Sequence, residues 1–382
     1  MNATRSLSFG LVFVLGLATA LAGLEGCSSR TIDQDILAKD ANSDGDRAAS
    51  QRVVPGVGYS FPVEAGKYTV LGISTDNKDH ALAKSNAEGA LNANPDIACM
   101  VGLWAYNPPA ILSALRSRNM VGQVAIVGFD EHKETLAAIA DGDIHGTIVQ
   151  QPYLFGFRSV EYLAAMARGQ AIEVPESKQM IVSYETIRAD NVQAFRTTVE
   201  DILADNGPVP PAIVDSADQT KRPKLMFITN SIDPFWTLAK KGCEKASSVV
   251  GADCEVVMPS QASTEAQKLS IEQFMNNNGE GLAISPINAE NQVEIINEAA
   301  EQMPVICQDS DSPRSNRKFY LGTSNYLAGR AAGKLVKEAI PDGGKVMIFV
   351  GRLEVLNAQE RSRGVIDELA GKELPAQFRS VE

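Results

Sequence analysis

Histidine is scarce: there are three in 382 residues, His80, His132 and His145, widely separated and without an HxxxH pair. That removes the spacing with which a helix holds zinc. No GxSxG elbow is present to present a serine nucleophile. Gly329-Arg-Ala-Ala-Gly333-Lys334 falls one residue short of a phosphate-binding loop and lies in a helical pattern, so it reads as a packed helix. Five cysteines occur, none in a CxxC pair. Cys99 and Cys307 sit in apolar strand-like runs, Cys243 in a helical pattern and Cys254 at a strand start. They read as small buried hydrophobes, with a Cys243–Cys254 disulfide left open. Positive charge is also in deficit: 35 Lys and Arg against 47 Asp and Glu give a net charge of −12. A chain so acidic is poorly suited to nucleic acid or an anionic membrane surface. No catalytic residue, cofactor or metal is expected.

The chain does contain one long uncharged apolar run, Leu7 to Leu24, preceded by Arg5 and followed by Glu25-Gly26-Cys27. A basic start, an apolar stretch and a small residue make a secretory signal. A cysteine directly after it resembles the lipobox of bacterial lipoproteins, whose thiol receives diacylglycerol. Residues 1–27 are therefore expected to be a signal peptide, with Cys27 the lipidation site and the protein held at the periplasmic face or cell envelope. An uncleaved membrane anchor is the alternative for an apolar run of about 18 residues. Residues 28–66 are polar and irregular and are expected to be a tether. Within them Asp40-Ala-Asn42-Ser-Asp44-Gly45 has calcium-loop spacing, but the twelfth position is Gln51 and lacks the bidentate carboxylate, so it reads as solvated linker.

Beyond residue 66, two blocks of apolar strand-like runs alternate with amphipathic helical patterns. The first has strands at Tyr68–Ser74, Ile97–Trp104, Val124–Phe129 and Gly146–Gln150, and closes at Ile181–Tyr184. The second has strands at Lys224–Thr229, Glu255–Met258, Leu282–Ser285, Val305–Cys307 and Val346–Val350. Such alternation predicts an α/β fold with parallel sheets covered on both faces. Between the blocks, 205–222 carries Gly207, Pro208, Pro210 and Pro211, a linker composition.

Polar and aromatic residues cluster just past the strand ends, where open α/β sheets bind ligands. Asn230 to Trp236 follows one strand. Asp233 and Pro234 there suit a helix start, while adjacent Phe235 and Trp236 offer flat stacking surfaces and are not expected both to face the core. Asp309-Ser310-Asp311 follows another strand and can accept hydroxyl hydrogen bonds. Asn107, Asp130 and Gln150 repeat the placement, and Arg361 offers a planar fork of donors. Together they suggest a rim that recognises a neutral polyol.

These stretches resemble the type I periplasmic sugar-binding proteins, the ribose- and galactose-binding group. Asn230-Ser-Ile-Asp-Pro-Phe-Trp236, Ile284-Ser-Pro-Ile-Asn288, Gln308-Asp-Ser-Asp311 and Gly322-Thr-Ser-Asn325 are similar to the family's amino-terminal half. Val350-Gly-Arg352 and Asn357-Ala-Gln-Glu-Arg361-Ser-Arg-Gly364 continue that match. Thr75-Asp-Asn-Lys-Asp79, Asn94-Pro-Asp96, Gly102-Leu-Trp-Ala-Tyr-Asn107, Val127-Gly-Phe-Asp130 and Gly146-Thr-Ile-Val-Gln-Gln-Pro152 resemble the carboxy-terminal half. The halves stand in exchanged order, which implies a circular permutant or, as the rival, halves completed by a domain swap between chains.

The resemblance implies two Rossmann-like lobes joined by a three-segment hinge. One lobe is expected to combine 223–325 with the helix at 153–170. The other is expected to combine the rest of 67–204, including the strand near Ile181–Tyr184, with 326–382; 205–222 bridges the exchanged halves. Val346–Val350 should then insert between Tyr68–Ser74 and Ile97–Trp104. The resemblance further implies ligand contacts from Asn230, Phe235, Trp236 and Asp309 on one side, and from Arg361, Asn107, Asp130 and Gln150 on the other. Lys78 stands where ribose binders carry an aromatic, and Ser310 where they often carry Arg, which favours another pentose or a hexose. The implied partners are a small sugar and a membrane ABC permease, with a chemoreceptor or histidine kinase as the sensing alternative and a non-binding permutant as a further one. The implied state is a monomer, or a swapped dimer.

Overall fold

The computed structural model describes residues 53–214 and 220–378. The expected signal peptide with Cys27, the calcium-like stretch 40–51 and part of the linker lie outside them. Among the described residues no helix is long and apolar enough to cross a membrane.

The strands are β1 (Val63–Ala65), β2 (Tyr68–Thr75), β3 (Ile97–Gly102), β4 (Ala125–Phe129), β5 (Gly146–Val149), β6 (Gln179–Ile181), β7 (Glu185–Ile187), β8 (Lys224–Ile228), β9 (Asp253–Val257), β10 (Gly281–Ile284), β11 (Val305–Gln308), β12 (Tyr320–Gly322) and β13 (Gly344–Val350). The helices are α1 (His80–Ala93), α2 (Asn107–Ser117), α3 (Lys133–Asp141), α4 (Pro152–Ala167), α5 (Val192–Leu203), α6 (Pro234–Val250), α7 (Thr264–Asn276), α8 (Val293–Gln302), α9 (Asn325–Ala339) and α10 (Leu356–Leu369).

Two sheets form. One has the order β1-β2-β13-β3-β4-β5-β7 and the other β6-β12-β11-β10-β8-β9. The six-stranded sheet is parallel throughout. In the seven-stranded sheet only the edge strands β1 and β7 run antiparallel. Central strands such as β5, β10 and β11 are buried at every position, as helices on both faces require.

β13, from late in the chain, lies between β2 and β3, the insertion expected from the sequence, with Val346 opposite Val70 on one side and Cys99 on the other. The chain passes between the sheets after β5, after β6 and after β12, because α4 packs on the six-stranded sheet, β7 returns to the seven-stranded one, and α9 packs beneath β3, β4 and β5. A fourth passage is the linker after α5.

Each sheet is backed by a close helix pair. In α4 against α6, a Cβ on Gly156 would stand 1.9 Å from the Ala239 carbonyl oxygen, and one on Gly242 2.0 Å from that of Tyr153. In α9 against α10, Gly329 and Gly364 play the same part against the carbonyls of Arg361 and Tyr326, at 2.2 and 2.3 Å. Within the Gly329–Lys334 stretch, Gly329 thus serves backbone contact and Gly333 makes room for the Glu368 side chain, as its helical pattern indicated.

Three expectations need correction. The strand near Ile181 belongs to the six-stranded sheet, where Gln179, Met180 and Ile181 pair with Tyr320, Leu321 and Gly322; the open edge of β12 offers parallel hydrogen bonds, and the chain crosses only after it. The tether does not run to residue 66: β1 pairs with β2, Val57 is buried, and the Tyr59 hydroxyl donates to Asp367. Short β-rich pieces between Pro and Gly gave no periodic signal long enough to register. Finally, α5 follows β7 where no helix was expected. Its Val192 joins the core of the seven-stranded sheet and Ile202 packs with Tyr153 and Leu238 near the other.

Candidate ligand cleft

The carboxyl ends of the parallel strands of both sheets meet around one cavity of about 60 Å³. Strand ends gather polar side chains here because the last residues leave the sheet with unpaired backbone. Asp130 and Asp309 leave β4 and β11 in the left-handed region, with φ of 65° and 59°, which short polar side chains tolerate best.

From the six-stranded side come Asn230, Ser231, Asp233, Phe235, Trp236 and Asp309. Asp233 caps α6 by accepting from the Phe235 amide at 2.9 Å, and Pro234 occupies the first turn. Asn230 Oδ1 accepts from Trp236 Nε1 at 3.3 Å, Ser231 Oγ at 3.1 Å and Lys78 Nζ at 3.2 Å. Ser285 Oγ donates to Asp309 at 3.0 Å and accepts from Asn230 Nδ2 at 3.3 Å.

From the seven-stranded side come Lys78, Trp104, Tyr106, Asp130, Gln150, Asn357 and Arg361. Gln150 Nε2 donates to Asp130 at 2.8 Å. Arg361 is 1% exposed. Its guanidinium lies 4.0 Å from the centroid of the Phe129 ring, and it donates through Nε to Asn325 at 2.9 Å and through Nη1 to the Leu103 carbonyl at 3.1 Å.

Burial sets the electrostatics. It pushes the Asp130 carboxyl up to about 7, against the lowering influence of Arg361 and the Gln150 hydrogen bond. Burial raises Asp309 too, opposed by Arg361, Ser285 and Lys78. It lowers the Lys78 ammonium to about 8 despite the nearby carboxylates. Lys78 has φ of 67°, and its side chain crosses the cleft to donate to Ser231 Oγ at 2.7 Å as well as to Asn230. Arg352 crosses similarly, donating to the Ala262 carbonyl at 3.3 Å. The two sheets are thus held together directly, and the remaining cavity is far below the ~300–1,000 Å³ of pockets that enclose a drug-sized ligand.

Seven of the eight residues anticipated from the sequence line this cavity. Asn107 does not: it begins α2 one layer behind, where its Oδ1 accepts from the Trp104 amide at 3.0 Å and its Nδ2 donates to Asp76 at 2.9 Å. The aromatic argument also needs correction. Phe235 and Trp236 are both buried in the core of the six-stranded lobe while also bordering the cavity. At the first turn of α6 the two rings meet edge to face, centroids 4.8 Å apart, so neighbours share one apolar wall. Asp311 is engaged with buried Arg317. Trp104, Tyr106, Ser231, Asp233 and Asn357 were missed as lining residues, and Lys78 was noted only as a departure from the ribose binders. Their placement straight after strands or at the start of α10 was the available signal.

Four buried polar atoms on these lining residues have no partner: Trp104 Nε1, Gln150 Oε1, Asn357 Oδ1 and Arg361 Nη2. Buried polar atoms left unpaired cost on the order of 1–3 kcal/mol each. Two donors and two acceptors therefore await a complementary group.

Two mostly parallel sheets whose strand ends face a shared polar cleft define a two-lobed binding protein. The profile of the periplasmic binding protein domain matches residues 40–171 and 225–382, and the chain belongs to that family. Ribose import binding protein RbsB of Salmonella typhimurium is 30% identical over 131 residues, 34% of this chain and 42% of that one. Its Bacillus subtilis counterpart is 28% identical over 137 residues, covering 36% and 44%. The chain spans less than half the length of the curated relatives it matches. Among solved structures, a Burkholderia graminis ABC transporter solute-binding protein in complex with D-arabinose aligns with 42% of this chain and 54% of that chain, at 28% identity and a TM-score of 0.38. AraP, an arabinose binding protein from Geobacillus stearothermophilus, aligns with 39% and 52%, at 30% identity and 0.36.

Proposed function

We propose that the protein captures a monosaccharide in this cleft by closing its two lobes around it, and presents the closed form to an ABC importer. The observation that carries this reading is the mixture of unpartnered buried atoms. A hydroxyl both donates and accepts, so a polyol satisfies Trp104 Nε1 and Arg361 Nη2 as well as Gln150 Oε1 and Asn357 Oδ1. An ion of either sign satisfies only half of them. Asp130 and Asp309 supply further acceptors, and Phe235 and Trp236 an apolar wall. Lys78 holds the lobes together across the space a sugar needs, so binding entails opening and re-closure about the crossings after β5, β6 and β12.

We read the exchanged order of the halves as a circular permutation within one chain. The insertion of β13 between β2 and β3 supports this. Residues 1–27 act as an export signal and Cys27 as the lipid-bearing residue on this reading.

The test is calorimetry and thermal unfolding of the folded protein against a panel of pentoses, hexoses and their phosphates. A neutral aldose or ketose should raise the unfolding temperature, because a ligand that binds only the native state stabilises it by mass action. A folded sample that responds to none of them sinks the proposal. Loss of uptake of the identified sugar on deletion of the gene tests the transport step.

A further inference from the structure

On the far side of the six-stranded lobe, away from the cleft, two cysteines share one apolar cluster. Cys243 is in the third turn of α6 and fully buried, whereas Cys254 is the second residue of the edge strand β9 and half-buried. The segment between them reverses in a tight turn. Gly251 takes φ of 68°, and the Gly251 and Ala252 amides both donate to the Ser247 carbonyl at 3.1 Å. This lays the 243–247 face of α6 against β9. Cys243 lies in the apolar cluster of the six-stranded lobe and Cys254 packs against that cluster, on the strand that α6 covers. Ser247 and Cys254 border the same broad surface depression, so Cys254 is reachable from solvent. Cys99 and Cys307, by contrast, are each sealed in a core without a cysteine neighbour.

We propose that Cys243 and Cys254 form an oxidisable dithiol, converted to an intramolecular disulfide by exchange with a low-molecular-weight or protein disulfide. The Cys254 thiolate attacks one sulfur of the reagent, breaks its S–S bond and releases one thiol. Cys243 then gives up its proton to solvent and attacks the Cys254 sulfur, releasing the second thiol. Two thiols are oxidised, one disulfide is reduced, and two protons pass to the leaving groups. Burial holds the Cys243 thiol well above its usual range, so the second attack is the slow step. The product staples α6 to the sheet edge across a short loop. It fixes the helix whose first turn carries Phe235 and Trp236, and it strips the protein of its one solvent-accessible thiol among the described residues.

The test treats the folded full-length protein with oxidised glutathione and maps peptides without reduction. The expected result is a Cys243–Cys254 cross-linked peptide, lighter by two hydrogens and free of glutathione, together with a rise in unfolding temperature that dithiothreitol reverses. In Cys243→Ser the Cys254 thiol should instead retain glutathione as a mixed disulfide, and in Cys254→Ser neither product should form. A stable glutathione adduct on Cys254 of the unaltered protein overturns the proposal. So does persistence of both thiols after prolonged exposure, or a cross-link that fails to raise the unfolding temperature. Because the site is remote from the cleft, these outcomes stand apart from those of the sugar-binding test.

Discussion

At the scale of single residues, the cleft has been built by burying groups that water would otherwise satisfy. Trp104 gives the cleanest measure, since its ring packs while its Nε1 has no partner. Trp104→Phe keeps most of the ring and deletes the donor. Sugar affinity should weaken by about 1 kcal/mol, roughly fivefold, by calorimetry. The ligand-free unfolding temperature should hold or rise, and a fall would mean that the indole nitrogen is structural.

The titrating groups make a second prediction. Asp130 is raised in the folded state to about 7, so between its unfolded value and 7 the native state holds a proton that the unfolded state has lost. Its contribution to stability is complete below pH 4 and lost as pH rises towards 7. Lys78 is depressed to about 8; its contribution is present at high pH and lost as pH falls through 8. In unfolding curves of the ligand-free protein, Asp130→Asn should shrink the first decline, which Glu131, Asp309 and Glu360 share because burial raises them too, and Lys78→Met should shrink the second. An unchanged pH profile in either variant contradicts the assignment.

At the scale of elements, the helix pairs α4–α6 and α9–α10 depend on backbone meeting backbone. Gly156→Ala drives a methyl group into the Ala239 carbonyl, and overpacking of this kind costs about 1–3 kcal/mol. Gly89, exposed in the middle of α1 with open space around it, is the contrasting site. Gly89→Ala should stabilise by about 0.5–1 kcal/mol, because alanine loses less backbone entropy on entering a helix. Chemical denaturation of the two variants should therefore move the midpoint in opposite directions. The element pattern was legible where periodicity was long, as in α6, with Asp233, Pro234 and Gly251 marking its two ends. It failed for β1, β7 and β12, each three residues long, and put the equally short β6 in the wrong sheet. Their pairing is decided by which sheet edge lies open nearby, and a three-residue run carries no record of that.

At the scale of the molecule, both ends of the described chain contribute to one sheet, with β13 between β2 and β3. A chain relinked to begin near residue 220, run to 378 and continue through a flexible connector into 53–214 should fold and bind the same sugars. Failure of that relinked chain to fold, while the natural order folds, would sink the circular-permutation reading. For the amino terminus, Cys27→Ser should release the protein from the membrane fraction on fractionation of cells that export it.

The sequence alone determined the class of elements, their order and the chemistry of the strand ends, because apolar periodicity and capping residues act over a few positions. From it alone, Asn230, Asp309, Asp130, Gln150 and Arg361 were recognisable as residues of one polar rim. Only the tertiary structure decided what that rim encloses. It took Asn107 out of the cleft and made it a brace for Asp76 and Trp104. It brought Lys78 in to bridge Asn230, 152 positions away. It also brought Cys243 and Cys254 into one apolar cluster. The physical reason is the same in each case. Burial, unpaired atoms and contacts between sheets depend on packing between segments remote in the chain, and local sequence preference does not specify it.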